Sequence, residues 1–140
     1  KSCRVCIISD DNVFPLYGKP ISDALTACGF SVISHVIPHG ESSKSLSVYG
    51  DILDHLAKEH LTRTDWLIAL GGGVTGDLAG FAASAYMRGI RYVNIPTTSL
   101  SMIDSGIGGK TAIDLNGVKN CVGAFWQPSL PAQVCLLRAW

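Results

Sequence analysis

The sequence has no excess of charge of either sign, since 11 lysines and arginines are balanced by 11 aspartates and glutamates. It also has no cluster of basic residues, which argues against binding to nucleic acid or to an anionic membrane surface. Charged residues make up only 16% of the chain and apolar residues 47%, a balance that excludes an intrinsically disordered protein. The 140 residues are enough for one domain with its own hydrophobic core.

Long apolar runs are missing as well. The window most similar to a membrane span, Leu67–Met87, contains several glycines and a central Asp77. Because a charged group is costly at the centre of a bilayer, we predict that this window does not cross a membrane.

Cysteines are few and scattered, at Cys3, Cys6, Cys28, Cys121 and Cys135. Cys3 and Cys6 form a C-x-x-C pattern, but they stand in the strand-like run "CRVCIIS", where residues three apart point to opposite faces. We therefore interpret the cysteines as buried structural thiols of a protein in the reducing cytoplasm, and not as a metal or redox site.

Apolar and β-branched runs alternate with helical patterns along the first two-thirds of the chain. The predicted strands are Cys3–Ser9, Ser31–Ile37, Asp65–Leu70 and Arg91–Ile95. The predicted helices are about Ile21–Cys28, delayed by Pro15 and Pro20 and ended by Gly29, then Lys44–His60, and a helix from the Gly71–Gly73 turn to about Met87. This alternation predicts an α/β fold: a Rossmann-like, mostly parallel sheet with helices on both faces.

The pattern changes after Pro96 to a glycine-rich region with little periodicity. Asn116–Gly117 is a strong turn signal, so Lys110–Asp114 and Val118–Ala124 are predicted to form a β-hairpin. Gln133–Leu137 is predicted to be a last strand. Because the chain begins at Lys1 without an initiator Met and ends directly after this strand-like run, we expect it to be part of a longer protein.

The stretch "LGGGVTGD" contains the spacing G-x-G-x-x-G at Gly71, Gly73 and Gly76, between a predicted strand and a predicted helix. Glycine permits a tight turn and lets backbone N–H groups approach a phosphate, and the helix N-terminus adds a favourable dipole. The pattern alone is weak, and a purely structural turn is the alternative, but its context favours a dinucleotide or phosphate site.

One part of the dinucleotide fingerprint is missing. An acidic residue is expected about 20 positions further on to hold the ribose, but that region reads "NIPTT". The ribose acid must then come from elsewhere, and the candidates are Asp10, Glu41 and Asp77. Asp77 lies one turn into the helix, where a carboxylate is also stabilised by the helix dipole alone.

A second group of polar residues lies among small residues between positions 88 and 120. Its members are Arg88, Asp104, Lys110, Lys119 and Asn120. The run "GIGGKT" is similar to a phosphate loop but fails the P-loop spacing, so ATP binding is not predicted. Each charge could be an ordinary solvated surface residue, yet the setting favours a small anionic substrate.

Together these motifs resemble the 3-dehydroquinate synthase family. The specific similarity covers Gly71–Pro128, with "GGGVTGD", "GFAASAYMRG", "PTT", the run "DSGIGGKT" and "VKNCVGAFWQP", while "SDDNV" and "HGESSK" resemble earlier family loops. The resemblance implies a lyase of the shikimate pathway that leads to aromatic amino acids. Such an enzyme converts the seven-carbon sugar phosphate DAHP to 3-dehydroquinate and phosphate, through transient oxidation by NAD, phosphate elimination, re-reduction and aldol closure.

The resemblance also implies roles for particular residues. The implied NAD contacts are Asp10, Asn12, Glu41, Lys44, Gly72, Gly73, Val74, Thr75, Gly76, Asp77, Thr97, Thr98 and Lys119. The implied substrate contacts are Arg88, Asp104, Lys110 and Asn120. On this interpretation Glu41 holds the ribose, the bare backbone faces the pyrophosphate, and Asp77 positions the nicotinamide end.

The family has a helical C-terminal domain that supplies one Glu and two His to a divalent metal, zinc or cobalt. We expect those ligands beyond Trp140, and expect His55 and His60 to be surface residues. The chain alone should then be an inactive NAD-binding domain, and the whole enzyme a homodimer. The sequence departs from the family pattern at His39, at Gly106–Ile107 and at Val118, which would be strained if its φ had to be positive.

Three alternatives stay open. Another sugar-phosphate cyclase, such as a valiolone or inosose synthase, would share NAD and metal. A glycerol-dehydrogenase-like oxidoreductase would share the glycine turn, but it is not expected to have G-G-K-T followed by K-N. A stand-alone NAD-sensing module would lack the helical domain altogether.

Overall fold

A four-stranded parallel sheet forms the centre of the computed structural model, which describes residues 3–105 and 108–130. The strands are β1 (Arg4–Asp10), β2 (Ser31–Ile37), β3 (Trp66–Gly71) and β4 (Arg91–Pro96), and their order across the sheet is β2-β1-β3-β4. All three pairings are parallel. The predicted Rossmann-like α/β fold is confirmed.

Helices cover both faces of this sheet. They are α1 (Phe14–Ala27), α2 (Leu46–Lys58) and α3 (Gly73–Ala85), with short helical turns at Glu41–Ser43, Tyr86–Arg88 and Ser101–Ser105. Because successive residues of a strand point to opposite faces, β1 divides its side chains between two cores. Val5 and Ile7 pack on the side of α1, whereas Cys6 and Ile8 pack on the side of α2 and α3.

The first helix starts seven residues before its predicted beginning at Ile21. Pro15 stands in the first turn of α1, where the missing N–H group would have no intrahelical partner in any case. Pro20 lies inside the helix, which continues through it. The prediction was wrong because proline excludes a helix interior only when nothing else stabilises that helix, and here α1 packs Tyr17, Ile21 and Leu25 against the sheet. Its end is as predicted, with Gly29 at φ +91°.

The predicted hairpin is confirmed as β5 (Lys110–Leu115) and β6 (Val118–Phe125). Asn116 and Gly117 have φ values of +50° and +76°, as a two-residue turn of this kind requires. Since the left-handed positions are 116 and 117, Val118 lies in ordinary strand conformation and the expected strain does not arise.

The hairpin packs against α3 and is anchored to the sheet at its far end. Trp126 follows β6, and its indole Nε1 donates to the carbonyl of Ile90, 3.1 Å away, just before β4. This anchor holds β5 and β6 over the helix that begins at the glycine turn.

The expectation of buried cysteines is only partly correct. Cys6 is buried, and burial raises the pKa of its thiol to about 12, so this cysteine is an inert core residue. Cys28 and Cys121 are exposed instead, the first at the end of α1 and the second on β6. In the described part of the chain, no helix is long and apolar enough to cross a membrane. Cys135 and the predicted strand Gln133–Leu137 lie outside the described residues.

His55 departs from expectation in part, because it is only partly exposed. Its ring lies 4.7 Å from the ring of His35, and its Nε2 is buried without a hydrogen-bond partner among the described residues. Burial, reinforced by the nearby imidazole of His55, lowers the pKa of His35, and Asp51 offsets part of this effect. His60 is exposed, as expected.

This histidine pair predicts a pH-dependent stability. A lowered pKa means that folding favours neutral His35, so its contribution is present above the ordinary value of about 6.5 and is lost as the pH falls below it. We expect the thermal midpoint of wild type to fall more steeply on acidification than that of His35→Gln. The control is His60→Asn, at an exposed left-handed position that Asn tolerates. Equal pH slopes for wild type and His35→Gln would contradict the prediction.

Candidate functional site

The carboxyl ends of the central strands bring polar groups together at one edge of the sheet. Asp10 ends β1 and Gly71 ends β3, and Asp10 Oδ2 lies 3.3 Å from where a Cβ on Gly71 would stand. The backbone N–H of Thr97, after β4, donates to the carbonyl of Gly71 at 2.9 Å. In open α/β sheets, ligands bind at this edge, beside the point where the chain leaves the sheet in opposite directions.

The glycines of the turn serve different purposes. None of Gly71, Gly73 and Gly76 has a positive φ, so the turn does not need them for a left-handed conformation. A Cβ on Gly71 would lie 2.7 Å from the hydroxyl of Thr75, which makes Gly71 a packing requirement. A Cβ on Gly73 would meet no protein atom within 4 Å. Gly73 is therefore the glycine whose bare side faces open space.

The N-terminus of α3 carries features that fit a phosphate-bearing nucleotide. Its N-cap residue, Gly72, supplies no side-chain hydrogen bond, so the first N–H groups of the helix have no intrahelical or capping acceptor. Beside them, the Oγ1 of Thr97 is buried without a partner among the described residues. Buried hydroxyls are normally hydrogen-bonded, so an unpaired one beside a free helix N-terminus fits a bound polar ligand.

Lys44 and Asp77 form an ion pair next to this turn. Lys44 Nζ lies 2.5 Å from Asp77 Oδ2, and the side chains are only 6% and 19% exposed. Burial raises the pKa of Asp77, the hydrogen bond and charge of Lys44 lower it, and the charges of Glu41 and Asp114 raise it further. Lys44 therefore stabilises the ionised form of Asp77 against the effect of burial.

The other predicted nucleotide residues lie around the same edge. Asp10 Oδ1 accepts from the N–H groups of Asn12 and Val13, at 2.9 and 2.8 Å, and so fixes the turn between β1 and α1. Glu41 is exposed in the short helix after β2. Thr98 Oγ1 donates to Ser101 Oγ at 2.8 Å, which fixes the loop that follows Thr97.

A cavity of about 440 Å³ lies between Asp77 of α3 and the hairpin. Asp77 lines one side of it, and Lys110 and Asn120 line the hairpin side. Asp77, which is predicted to position the nicotinamide end of NAD, therefore shares one cavity with Lys110 and Asn120. These are two of the four predicted substrate residues. Its remaining wall comes from Thr111, Ala112, Cys121, Gly123, Ala124 and Phe125.

Asn120 reaches this cavity through an irregularity in the hairpin. Ile113 pairs with Val122 and Leu115 with Val118, so Asp114 alone faces residues 119–121 of β6. Asn120 has a φ of +53° inside this bulge, and its N–H donates to Asp114 Oδ1 at 2.8 Å. Sequence reasoning missed Asp114; the only available signal was a carboxylate at the predicted end of β5, opposite the K-N pair.

Arg88 and Lys119 were predicted to contact substrate and NAD, and neither lines the cavity. Arg88 is exposed at the far end of α3, about 20 Å from the glycine turn by the length of the helix. Lys119 is exposed on β6 and does not line the cavity. Asp104 lies in the short helix Ser101–Ser105, and its side chain falls outside the described part of the structure.

The described residues do not provide a metal site. Within residues 3–105 and 108–130, no group of three or more His, Cys, Asp or Glu side chains is arranged to hold a metal ion.

The parallel sheet, the glycine turn and the polar groups at its carboxyl edge define a Rossmann-like α/β domain of the nucleotide-binding class. A model of the 3-dehydroquinate synthase N-terminal family matches residues 34–136. The chain belongs to this family.

Curated relatives agree with this assignment. The 3-dehydroquinate synthase of Lactiplantibacillus plantarum is 52% identical over 127 residues, and that of Enterococcus faecalis is 53% identical over 125 residues. These alignments cover 91% and 89% of the chain but only 35% of each relative. The chain thus spans about a third of the length of the curated relatives it matches.

Solved structures of sugar-phosphate cyclases have the same fold. The 2-epi-5-epi-valiolone synthase of Streptomyces hygroscopicus, with NAD+ and Zn2+ bound, is 36% identical with a TM-score of 0.85, over 92% of this chain and 36% of that one. A 2-deoxy-scyllo-inosose synthase complexed with carbaglucose-6-phosphate, NAD+ and Co2+ is 30% identical with the same TM-score, over 91% and 34%. A glycerol dehydrogenase from Schizosaccharomyces pombe, 23% identical at a TM-score of 0.67, shares the fold.

Proposed function

We propose that this chain is the NAD-binding domain of a 3-dehydroquinate synthase, which converts DAHP to 3-dehydroquinate and phosphate. The observation that carries the proposal is the cavity in which Asp77 stands opposite Lys110 and Asn120. A cofactor held at the glycine turn would reach this cavity with its reacting end, and a substrate held by the hairpin would meet it there. Family membership and relatives of about 50% identity support the specific reaction.

The nucleotide edge would bind NAD through its backbone and a few side chains. The free N–H groups of α3 and the open side of Gly73 suit the pyrophosphate, and the unpaired hydroxyl of Thr97 suits a further polar group of the cofactor. Asp77, held by Lys44, would accept from a ribose hydroxyl and fix the nicotinamide end. When bound, NAD supplies reversible hydride transfer to and from the substrate.

The hairpin would hold the anionic end of the substrate. Lys110 and the amide of Asn120 line the same wall, and a flexible ammonium beside an amide donor suits a phosphate whose charge rises as it leaves. Asp104 would accept from a substrate hydroxyl, and Arg88 remains a proposed substrate contact of the complete enzyme. Lys119, on the same β6 bulge, is proposed to contact NAD.

The complete enzyme is proposed to need more than this chain. The two cyclases described above contain Co2+ or Zn2+, and we propose a divalent metal of this kind, held by residues beyond Trp140. A homodimer remains a proposal based on the family resemblance. The chain alone is expected to bind NAD weakly and to release no phosphate, because a site open on one side does not exclude water.

A related cyclase is the second candidate, since both cyclase structures have TM-scores of 0.85 to this chain. The test is an NAD-dependent assay of phosphate release and product identity with the full-length protein. DAHP and other sugar phosphates are the substrates to compare. Turnover of DAHP to 3-dehydroquinate supports the proposal, and a preference for another sugar would overturn it in favour of the second candidate.

Asp77 provides a residue-level prediction for the same protein. In full-length Asp77→Ala we expect NAD affinity to fall about tenfold or more, with slower turnover, because the ribose acceptor is gone and Lys44 is left unpaired. Asp77→Asn should be milder, since an amide oxygen still accepts.

The control for this series is Asp54→Ala, which breaks an exposed lysine–aspartate pair with Lys58 on α2 and should leave NAD affinity unchanged. Calorimetric titration with NAD provides the measurement. If both Asp77 variants bind NAD with wild-type affinity, Asp77 does not contact the cofactor and serves only as a charge near the N-terminus of α3.

A further inference from the structure

The conformation of Asn120 is unusual for its position in a strand. Its φ of +53° places it in the left-handed region, which is costly for residues other than glycine, although less so for Asn. Neighbouring residues of β6 lack this conformation, and Asn120 is the central residue of the bulge. Something in the structure must hold its backbone there for the side chain to line the cavity.

Asp114 makes the contact that fits this requirement. It is the single residue of β5 opposite the three bulged residues, and its Oδ1 accepts from the N–H of Asn120 at 2.8 Å. A carboxylate that accepts from a backbone N–H forms a charge-assisted hydrogen bond, which is stronger than a neutral one. The bulge otherwise removes Asn120 from the regular ladder, so this bond replaces a lost strand-pairing bond.

Asp114 also connects the hairpin to the nucleotide edge through its own backbone. Its N–H donates to the carbonyl of Lys44 at 2.9 Å, and Lys44 is the partner of Asp77. One residue therefore contacts the segment that carries a proposed NAD ligand and the segment that carries a proposed substrate ligand. The contact with Lys44 uses the backbone of Asp114, and the contact with Asn120 uses its side chain. A substitution of Asp114 can therefore remove the second contact and leave the first in place.

We infer that Asp114 is a positioning residue that sets Asn120, and through it the substrate-binding wall of the cavity, against the nucleotide edge. The inference rests on the proposed function, because it assigns Asn120 to the substrate. Asp114 does not itself line the cavity, so it acts through the backbone of Asn120.

A purely electrostatic role is the competing explanation, because the charge of Asp114 is one of those that act on Asp77. Asp114→Ala and Asp114→Asn remove this charge equally. Only Asp114→Asn keeps an oxygen that accepts from the N–H of Asn120. A positioning role therefore predicts that the two variants differ, and an electrostatic role predicts that they agree.

The experiment compares full-length wild type, Asp114→Ala and Asp114→Asn, with Asp23→Ala as a control on the exposed face of α1. We expect Asp114→Ala to lower kcat/KM for DAHP about tenfold or more, as loss of a hydrogen bond to a charged group implies. Asp114→Asn should recover most of this loss. NAD affinity should change little in either variant, since the bond to Lys44 is made by the backbone.

Hydrogen–deuterium exchange of the peptide around residues 118–122 provides a readout that does not depend on the substrate. Faster exchange in Asp114→Ala than in Asp114→Asn supports the inference, whichever sugar wild type prefers. A preference of wild type for another sugar would overturn only the proposed reaction. Equal exchange and equal kinetics in the two variants, with wild type active on DAHP, would overturn the inference and leave the proposed function in place.

Discussion

Replacing Gly73 by alanine is expected to lower NAD affinity of the full-length protein about 10- to 100-fold, or about 1.4–2.8 kcal/mol, while the fold keeps its stability. The reason is that a Cβ at this position meets no protein atom within 4 Å, so the protein itself has no need of glycine there. The open side lies at the first residue of α3. Thr97, whose hydroxyl has no partner among the described residues, bonds through its N–H to Gly71 of the same turn. A methyl group in that space would displace a pyrophosphate from the helix N-terminus.

Gly50→Ala is the matched control for this prediction. Gly50 also has open space around its missing Cβ, but it lies on the exposed side of α2, away from the nucleotide edge. Both substitutions should leave the thermal midpoint unchanged or raise it slightly, since alanine favours a helix by up to about 1 kcal/mol over glycine. Only Gly73→Ala should affect NAD titrations. A Gly73→Ala variant with normal affinity would show that the ligand does not approach this turn.

The fold was predictable from the sequence wherever local pattern and tertiary packing agree. The strand Ser31–Ile37 and the hairpin around Asn116–Gly117 were predicted because β-branched runs and a two-residue turn signal act locally. The early start of α1 was not predictable, because its first turns contain two prolines and are stabilised by packing of Tyr17 and Ile21 against the sheet.

In the candidate site too, local features were predictable from the sequence and contacts between distant residues were not. The glycine turn could be recognised from spacing, because the backbone geometry it supports is local. The Lys44–Asp77 pair and the contact between Asp114 and Asn120 join residues that are distant in sequence or shifted by a bulge, so spacing contains no sign of them. Arg88 was grouped with the other substrate residues by motif alone, and a helix of about 20 Å separates it from the glycine turn.

Lys110→Ala is expected to have the largest effect on catalysis. Lys110 opens β5 directly after Gly109, whose φ of +63° turns the chain so that the lysine lines the cavity. Gly109 is fixed in this turn because its carbonyl accepts from the N–H of Trp126 at 2.7 Å, and that tryptophan is anchored to Ile90. Among the described residues no carboxylate forms an ion pair with Lys110, so its ammonium is available to a ligand.

We expect kcat/KM for DAHP in full-length Lys110→Ala to fall about 30- to 1,000-fold, as loss of about 2–4 kcal/mol of charged hydrogen bonding in a closed site implies. NAD affinity should be nearly unchanged, because Lys110 lies on the hairpin wall and not at the glycine turn. Lys19→Ala, on the exposed face of α1, controls for the loss of one positive charge. A normal kcat/KM, or an equal loss of NAD binding, would show that Lys110 does not hold the departing phosphate.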